Sequence, residues 1–596
     1  MPTERKTNAT IGPSQGTVPK VTGADVELGN FISGDDDARD GNASEAARRL
    51  LREVHGFSRN TRYGNHGYSD DSSRNEVMGG GTYASGNYSS GGSNYYPHAQ
   101  DWGRKFLPCN GGCVYIDLNH LEICIPECLD AFDHVAAFNA MLRITRDALH
   151  RANDRMPGGQ QIKVTVNNTD GQNSWGSHLN FLITRKAYDT LFNRKIHHLL
   201  FLGSYQCSAI ALTGSGKVGA GNGRPDADFQ ISSRADYYET LVGSQTTVNR
   251  PLVNSRDEGL VGLSARAGGL DDRLARLHCI FFDATLNQVA TLLKVGMTQI
   301  VLAMIEQEVV PAHLILDDPL ETLGAWSRDP SVKARGRLVS GGNYTVAEHA
   351  QAVFDEAQRF VAAGKADDLV PKAGEIVRLW GDTLQLLRRQ NWDALASRCD
   401  WVAKHRVLSD ALRRYGVTWN SPQAKHLDQV WAKLDLSEGL YWACDRQGAM
   451  QHVVTDGQIE RFVHEPPEDT RAWFRAQVLR RADEGTVDDV DWDKIVMRVV
   501  EERYRTWTSY AYPTLAMPHP LGFTRRDCEG VLTEVPSLMD AMAELGLNDS
   551  QRNGGSGGRT YASASAPEIE TGTTASGTNY AIVRVAGAGD SKDKLN

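Results

Sequence analysis

The residues best placed to do chemistry lie in Cys113-Val-Tyr-Ile-Asp-Leu-Asn-His-Leu-Glu-Ile-Cys-Ile-Pro-Glu127. The run opens with β-branched and aromatic residues and reads as a strand. Side chains alternate along a strand, so Cys113, Tyr115 and Asp117 share one face while Val114 and Ile116 turn toward apolar packing. A phenol and a carboxylate on one face, followed by Glu122 and Glu127, form an oxygen-rich cluster suited to a hard cation such as Mg²⁺. On spacing alone, a polar strand end with solvated acids is the competing reading. A second acidic stretch, Gly23-Ala-Asp25-Val-Glu27-Leu-Gly29, shifts the balance. As a strand it also places Asp25 and Glu27 on one face, and two acidic strand faces can converge on one metal–phosphate site.

These two stretches carry a resemblance. Gly-Ala-Asp-Val-Glu-Leu-Gly resembles the Gly-Ile-Glu-Thr-Glu-Phe/Tyr-Gly opening of the Pup ligase/depupylase family. Tyr115-Ile-Asp117-Leu-Asn-His120-Leu-Glu122 resembles that family's Tyr-Val-Asp-His-Ala-His-Pro-Glu. The resemblance implies the fold of glutamine synthetase and other carboxylate–amine ligases, an α+β fold. Its curved antiparallel sheet has helices packed on one face, and a small C-terminal domain follows. It further implies ATP and Mg²⁺ as cofactors, with Asp25, Tyr115 and Glu122 as metal ligands and Glu27 beside them. Asp117 becomes the catalytic aspartate, attacking an isopeptide carbonyl or activating the water that does.

Further segments continue the likeness in order. Trp175-Gly-Ser-His178-Leu-Asn180 resembles Tyr-Gly-Thr-His-Glu-Asn, which implies a place for His178 near nucleotide phosphates or a metal. On its own, His178 reads first as a strand histidine bonded to backbone. Thr213-Gly-Ser-Gly-Lys-Val-Gly219 contains GxGxxG, but no helix follows and Val218 stands where a P-loop needs Ser or Thr. It resembles instead a glycine-rich loop beside the family's active site. Asn249-Arg-Pro-Leu-Val-Asn-Ser-Arg256-Asp-Glu258 implies a phosphate-facing Arg256, for which an ion pair with Asp257 or Glu258 is the alternative. Asp491-Trp492-Asp493 matches a tryptophan that lines the nucleotide in the family, although a lone Trp is by default core. Leu51-Arg-Glu-Val-His-Gly-Phe57 and the Asp117–Glu122 spacing resemble the depupylase branch, since the ligases carry one more residue between those acids.

The resemblance therefore implies an ATP- and Mg²⁺-dependent isopeptidase or deamidase. Its substrate would be the C-terminal Glu/Gln side chain of a small protein modifier, Pup or Pup-like, with a proteasome pathway as the wider partner. A ligase of the same fold, or a catalytically weak modifier-binding protein, is the alternative. Departures mark a divergent member. Asp25 stands where the family has Glu, Leu179 replaces a Glu, and Cys113 replaces an arginine that contacts ATP. Losing one arginine–phosphate contact costs about 1.5–3 kcal/mol.

The elements that position these residues must come from a chain of 596 residues, more than one domain's usual share. We expect a flexible tail over 1–21, a catalytic domain over 22–419, a small domain over 420–545 and a disordered tail over 546–596. A long mobile loop spans 30–105, with a helix near Ser44–Val54. Residues 129–153 show helical spacing, Ile162–Val166 reads as a strand, and helical patterns dominate from 284 to 415. The net charge of −10 argues against a nucleic-acid partner. The apolar run Ile300–Leu316 is broken by Glu306 and Glu308, so no membrane span is expected. A polar N-terminus without a signal core points to the cytoplasm and reduced thiols. Cys109, Cys113, Cys124 and Cys128 approach zinc-ligand spacing, but x3 separations favour buried, inert thiols.

Overall fold

The computed structural model describes residues 16–34, 42–58, 104–257, 260–261, 274–483, 485–503, 508–535 and 537–547, and the backbone of 568–573 and 579–584. The expectations for 59–103 and for 1–15 lie outside the described residues. The chain divides into two compact units, residues 1–81 with 97–550, and residues 82–96 with 551–596. In the second unit an antiparallel pair, Glu568–Thr573 with Asn579–Arg584, lies inside the stretch expected to be a structureless tail.

The first unit is built on an eight-stranded sheet. Its strands are β1 (Thr22–Ser33), β2 (Phe57–Ser58), β3 (Lys105–Phe106), β4 (Cys113–Asp117), β5 (His120–Cys124), β6 (Gln161–Thr165), β7 (Ser177–Thr184) and β8 (Leu274–Cys279). The order is β8-β7-β1-β5-β4-β3-β2, with β6 also paired to β1. All these pairings are antiparallel. The period-2 pattern divides the two faces. Ala24, Val26, Leu28, Val114, Leu121 and Ile123 point into the large core. Asp25, Glu27, Cys113, Tyr115 and Glu122 alternate with them and occupy the opposite face.

Helices cover the apolar face. They include α1 (Asn42–Glu53), α2 (Ala131–Asn153), α3 (Ile196–Thr213) and α4 (Gln288–Glu306). In α1, Ala46, Ala47, Leu50 and Leu51 form the buried stripe. Asp130 caps α2, accepting from the Phe132 N–H at 2.7 Å, and His150 and Arg151 stand in the last turn where the helix dipole favours cations. Among the described residues α4 alone is long and apolar enough to cross a membrane, and all of its apolar window is buried in the protein. It is apolar all round because protein surrounds it on every side. Lys20, itself fully buried, pairs with Glu306 at the end of α4 and fixes the chain just before β1.

Trp431, Tyr441 and Phe462 lie beyond the boundary expected near 420, yet they pack into the same large core. A second core joins Phe106, Cys113, Tyr115 and Cys124 of the sheet to Trp473, Phe474, Val490, Ile495 and Leu515. The small C-terminal lobe, beginning with α5 (Ala472–Arg481), thus sits on one end of the polar sheet face.

Candidate active site

Register arranges the polar face in rows. In the first row His178 of β7 opposes Asp25 of β1, which opposes Cys124 of β5, then Cys113 of β4 and Phe106 of β3. In the second, Glu27 opposes Glu122, which opposes Tyr115. In the third, His120 opposes Asp117 at the end of the β4–β5 hairpin. The rows gather Asp25, Glu27, Tyr115, Glu122 and His178 on one face, with Asp117 at the rim.

Asp25 is the most heavily partnered of these. Its Oδ2 lies 3.1 Å from His178 Nδ1 and 3.8 Å from His278 Nε2, and its Oδ1 accepts from the Asn180 amide. Burial opposes ionisation, but the hydrogen bond with His178 and the nearby His278 ring outweigh it and hold Asp25 well below the usual carboxylate range. Glu27 accepts from the Gly176 N–H at 2.7 Å and lies 3.1 Å from His120 Nδ1. It too is lowered against its burial. Gly176 is required here, because a Cβ would stand 2.5 Å from His178 Nε2 and 2.7 Å from Glu27 Oε1.

Glu122 is the opposite case. It is 1% exposed, and its Oε2 has no hydrogen-bond partner among the described residues. Burial first, then the charges of Asp25, Glu27 and Asp117, push it well above the ordinary value. Tyr115 is raised by burial and by Glu122, Cys124 and Asp25. An orphaned carboxylate oxygen among other acids fits a hard cation, which would supply the missing partner and cancel the repulsion. Beside it, ligand atoms of Asp25, His178 and His278 all lie within 4.8 Å of one another, a nitrogen-richer set. Burial lowers His278 to about 4, so its ring is neutral and able to ligate.

The hairpin that carries Asp117 is pinned from behind. Asn30 donates to Ala43 O at 2.7 Å and to Asn119 O at 3.1 Å, and accepts from the Leu121 N–H at 2.8 Å. Neither Asn30 nor His278 announced itself in the sequence as a site residue. Their roles arise from register across strands far apart in the chain.

One expectation is corrected. Glu127 does not join the oxygen cluster. Arg471 Nε reaches its Oε1 at 2.7 Å, and the Arg475 guanidinium binds its Oε2. Burial opposes, but the charges of Arg475 and Arg471 carry Glu127 down to about 2. Arg256 is exposed after the strand Pro251–Asn254, and the carboxylate beside it, Asp257, is held by Arg185 at 2.7 and 3.1 Å. In the glycine-rich loop Lys217 is buried and paired with Asp236 at 2.9 Å, so its charge is already spent within the protein. Cys113, Cys124 and Cys128 are buried and Cys109 is half-buried. Burial pushes the Cys113 thiol up to about 12. Trp492 meets Phe106 edge-on at 5.3 Å and lies beneath the Arg475 guanidinium at 4.8 Å, closing one end of the face.

A curved antiparallel sheet, helices on one face and paired acids on the other define a carboxylate–amine ligase fold of the glutamine synthetase type. The chain belongs to the Pup-ligase protein family, whose model matches residues 20–496. It is 34% identical over 437 residues to the Pup deamidase/depupylase of Mycolicibacterium smegmatis, covering 73% of this chain and 82% of that one. The fold is that of the ligase PafA in its complex with the prokaryotic ubiquitin-like protein Pup, at a TM-score of 0.65 and 22% identity over 85% of this chain and 89% of that one. PafA in complex with ADP matches at a TM-score of 0.59 and 22% identity, over 78% of this chain and 98% of that one.

Proposed function

We propose that this protein is a depupylase-like hydrolase of the isopeptide or amide bond at the C-terminal Glu/Gln side chain of Pup or a Pup-like modifier, working with ATP and Mg²⁺. The observation that supports it most is Asp117 at the open rim of a face whose buried acids are one cation short. Asp25, Glu27, Tyr115 and Glu122 would hold Mg²⁺, with His178 near the phosphates and Trp492 and Arg256 as nucleotide contacts. The bound cation would offset phosphate charge that these carboxylates otherwise repel. Asp117 lies two residues along the strand from Tyr115, on the same face, so its carboxylate is presented to a carbonyl docked at the rim. It either attacks that carbonyl or takes the proton of the attacking water. The substrate lysine amine leaves with a proton, and water completes hydrolysis of the acyl group. Both routes need an ionised Asp117, and both are removed by Asp117→Asn.

The ligase direction is the second reading, favoured by the fold shared with PafA. Net ATP consumption coupled to conjugate formation would identify it. The decisive measurement is release of fluorophore from a modifier–peptide isopeptide conjugate with ATP and Mg²⁺, wild type against Asp117→Asn. We expect release by wild type alone, with nucleotide affinity unchanged in the variant. An active Asp117→Asn enzyme removes the catalytic assignment.

A further inference from the structure

Tyr115 and its row lead to a residue that neither the strand motifs nor the resemblance singles out. In the β3–β4 ladder Lys105 opposes Val114 and Phe106 opposes Cys113. Carried one step further, the register sets Arg104 opposite Tyr115. Arg104 therefore shares the acidic face with Phe106, Cys113 and Tyr115, diagonal to Cys113 and within reach of a long side chain. The contacts agree. The Arg104 guanidinium lies 4.7 Å over the Tyr115 ring, and its Nη1 is 3.8 Å from Asp491 Oδ1, too far for a hydrogen bond. Its Nε is buried with no hydrogen-bond partner among the described residues, while the side chain as a whole is 23% exposed.

The neighbouring guanidiniums are committed elsewhere. Arg475 donates to Glu127, to Gly111 O and to Trp492 O. Arg471 donates to Glu127, Met517 O and Leu260 O. Arg104 thus keeps donor capacity and charge between the acidic rows and Trp492, where a polyphosphate would need them. Arginine's fork suits phosphate oxygens, and its charge survives burial.

We propose that Arg104 is a phosphate-binding residue of this protein, supplying from β3 the cation that the buried thiol Cys113 cannot supply from β4. The inference rests on the nucleotide reading above and deepens it. The alternative role is a strut between the sheet and the C-terminal lobe through Asp491.

The test measures binding of ATP·Mg²⁺ by calorimetry and of adenosine by ligand-observed NMR to full-length wild type, Arg104→Ala, Arg104→Lys and Asp491→Asn. We expect Arg104→Ala to weaken ATP roughly ten- to a hundredfold, the loss of one charged hydrogen-bonding partner, and to leave adenosine within about twofold. Arg104→Lys recovers part of the loss. Asp491→Asn binds ATP at least as tightly as wild type, because it releases the guanidinium. Equal weakening of ATP and adenosine, a loss in Asp491→Asn matching Arg104→Ala, or unchanged ATP affinity in Arg104→Ala each overturns the assignment. Wild type that binds neither ligand refutes the nucleotide reading itself, an outcome distinct from any change in the variants.

Discussion

Glu122 lies between Glu27 and Tyr115 with one carboxylate oxygen unpartnered among the described residues, and its neighbours explain why that arrangement persists. The face carries two acids held ionised by histidines, Asp25 and Glu27, so a third buried acid is repelled unless a cation joins it. Stability and function therefore pull this residue in different directions. Glu122→Gln keeps the shape and removes the charge. The metal-free variant should melt no lower than metal-free wild type, because the lost carboxylate was opposed by its surroundings. The Mg²⁺ concentration for half-maximal conjugate cleavage should rise at least about tenfold, since even indirect partners of a metal site matter on that scale. Thermal melts in chelator and Mg²⁺ titrations of activity check both halves. A less stable variant with unchanged Mg²⁺ dependence would make Glu122 a structural acid.

The β4–β5 hairpin is the element that aims Asp117, and it carries a cost at its tip. Leu118 has φ +51 and is 62% exposed, a left-handed backbone on a residue that gains no burial in return. Asparagine tolerates that region better. Leu118→Asn should stabilise the hairpin by about 1 kcal/mol, read as roughly fivefold slower amide exchange at the tip. Unchanged exchange would mean that the Asn30 and Asn119 anchors already fix the turn. This element also shows what the sequence could convey. Alternation alone placed Tyr115 with Asp117 and Asp25 with Glu27, because a strand's period is local. Adjacency of the two acidic strands is not local. The resemblance implied a shared site, but only the pairing of Glu27 with Glu122 shows how the acids meet. The same limit hid His278, which reaches Asp25 from β8, and misassigned Glu127, whose partners lie more than three hundred residues later. Polarity is legible along a chain, whereas the sign of a distant partner is not.

At the scale of the molecule, Glu127 fastens the C-terminal lobe to the sheet. It leaves β5 and receives Arg471 and Arg475 at the start of α5, while Arg475 also spans to Gly111 and Trp492. All three charges are buried, so removing one leaves the others uncompensated. Glu127→Gln should cost about 3–5 kcal/mol at neutral pH, with the lobe's contacts around Trp473 and Trp492 loosening first. The pH dependence follows from the depressed value of about 2. A carboxyl whose folded value lies below its unfolded one contributes fully above the unfolded value and loses that contribution as pH falls through the folded one. For Glu127 the window runs from an ordinary glutamate value near 4.3 down to about 2, and the contribution at stake is roughly 3 kcal/mol. Wild type should therefore lose stability across that window more steeply than Glu127→Gln, and the two curves should converge toward its acid end. Thermal melts followed by tryptophan fluorescence between pH 5 and 2, under chelation to keep the metal site out of the comparison, measure this directly. Parallel curves would show that the clamp is already broken or irrelevant in wild type, and that apolar packing around Phe474 holds the lobe instead.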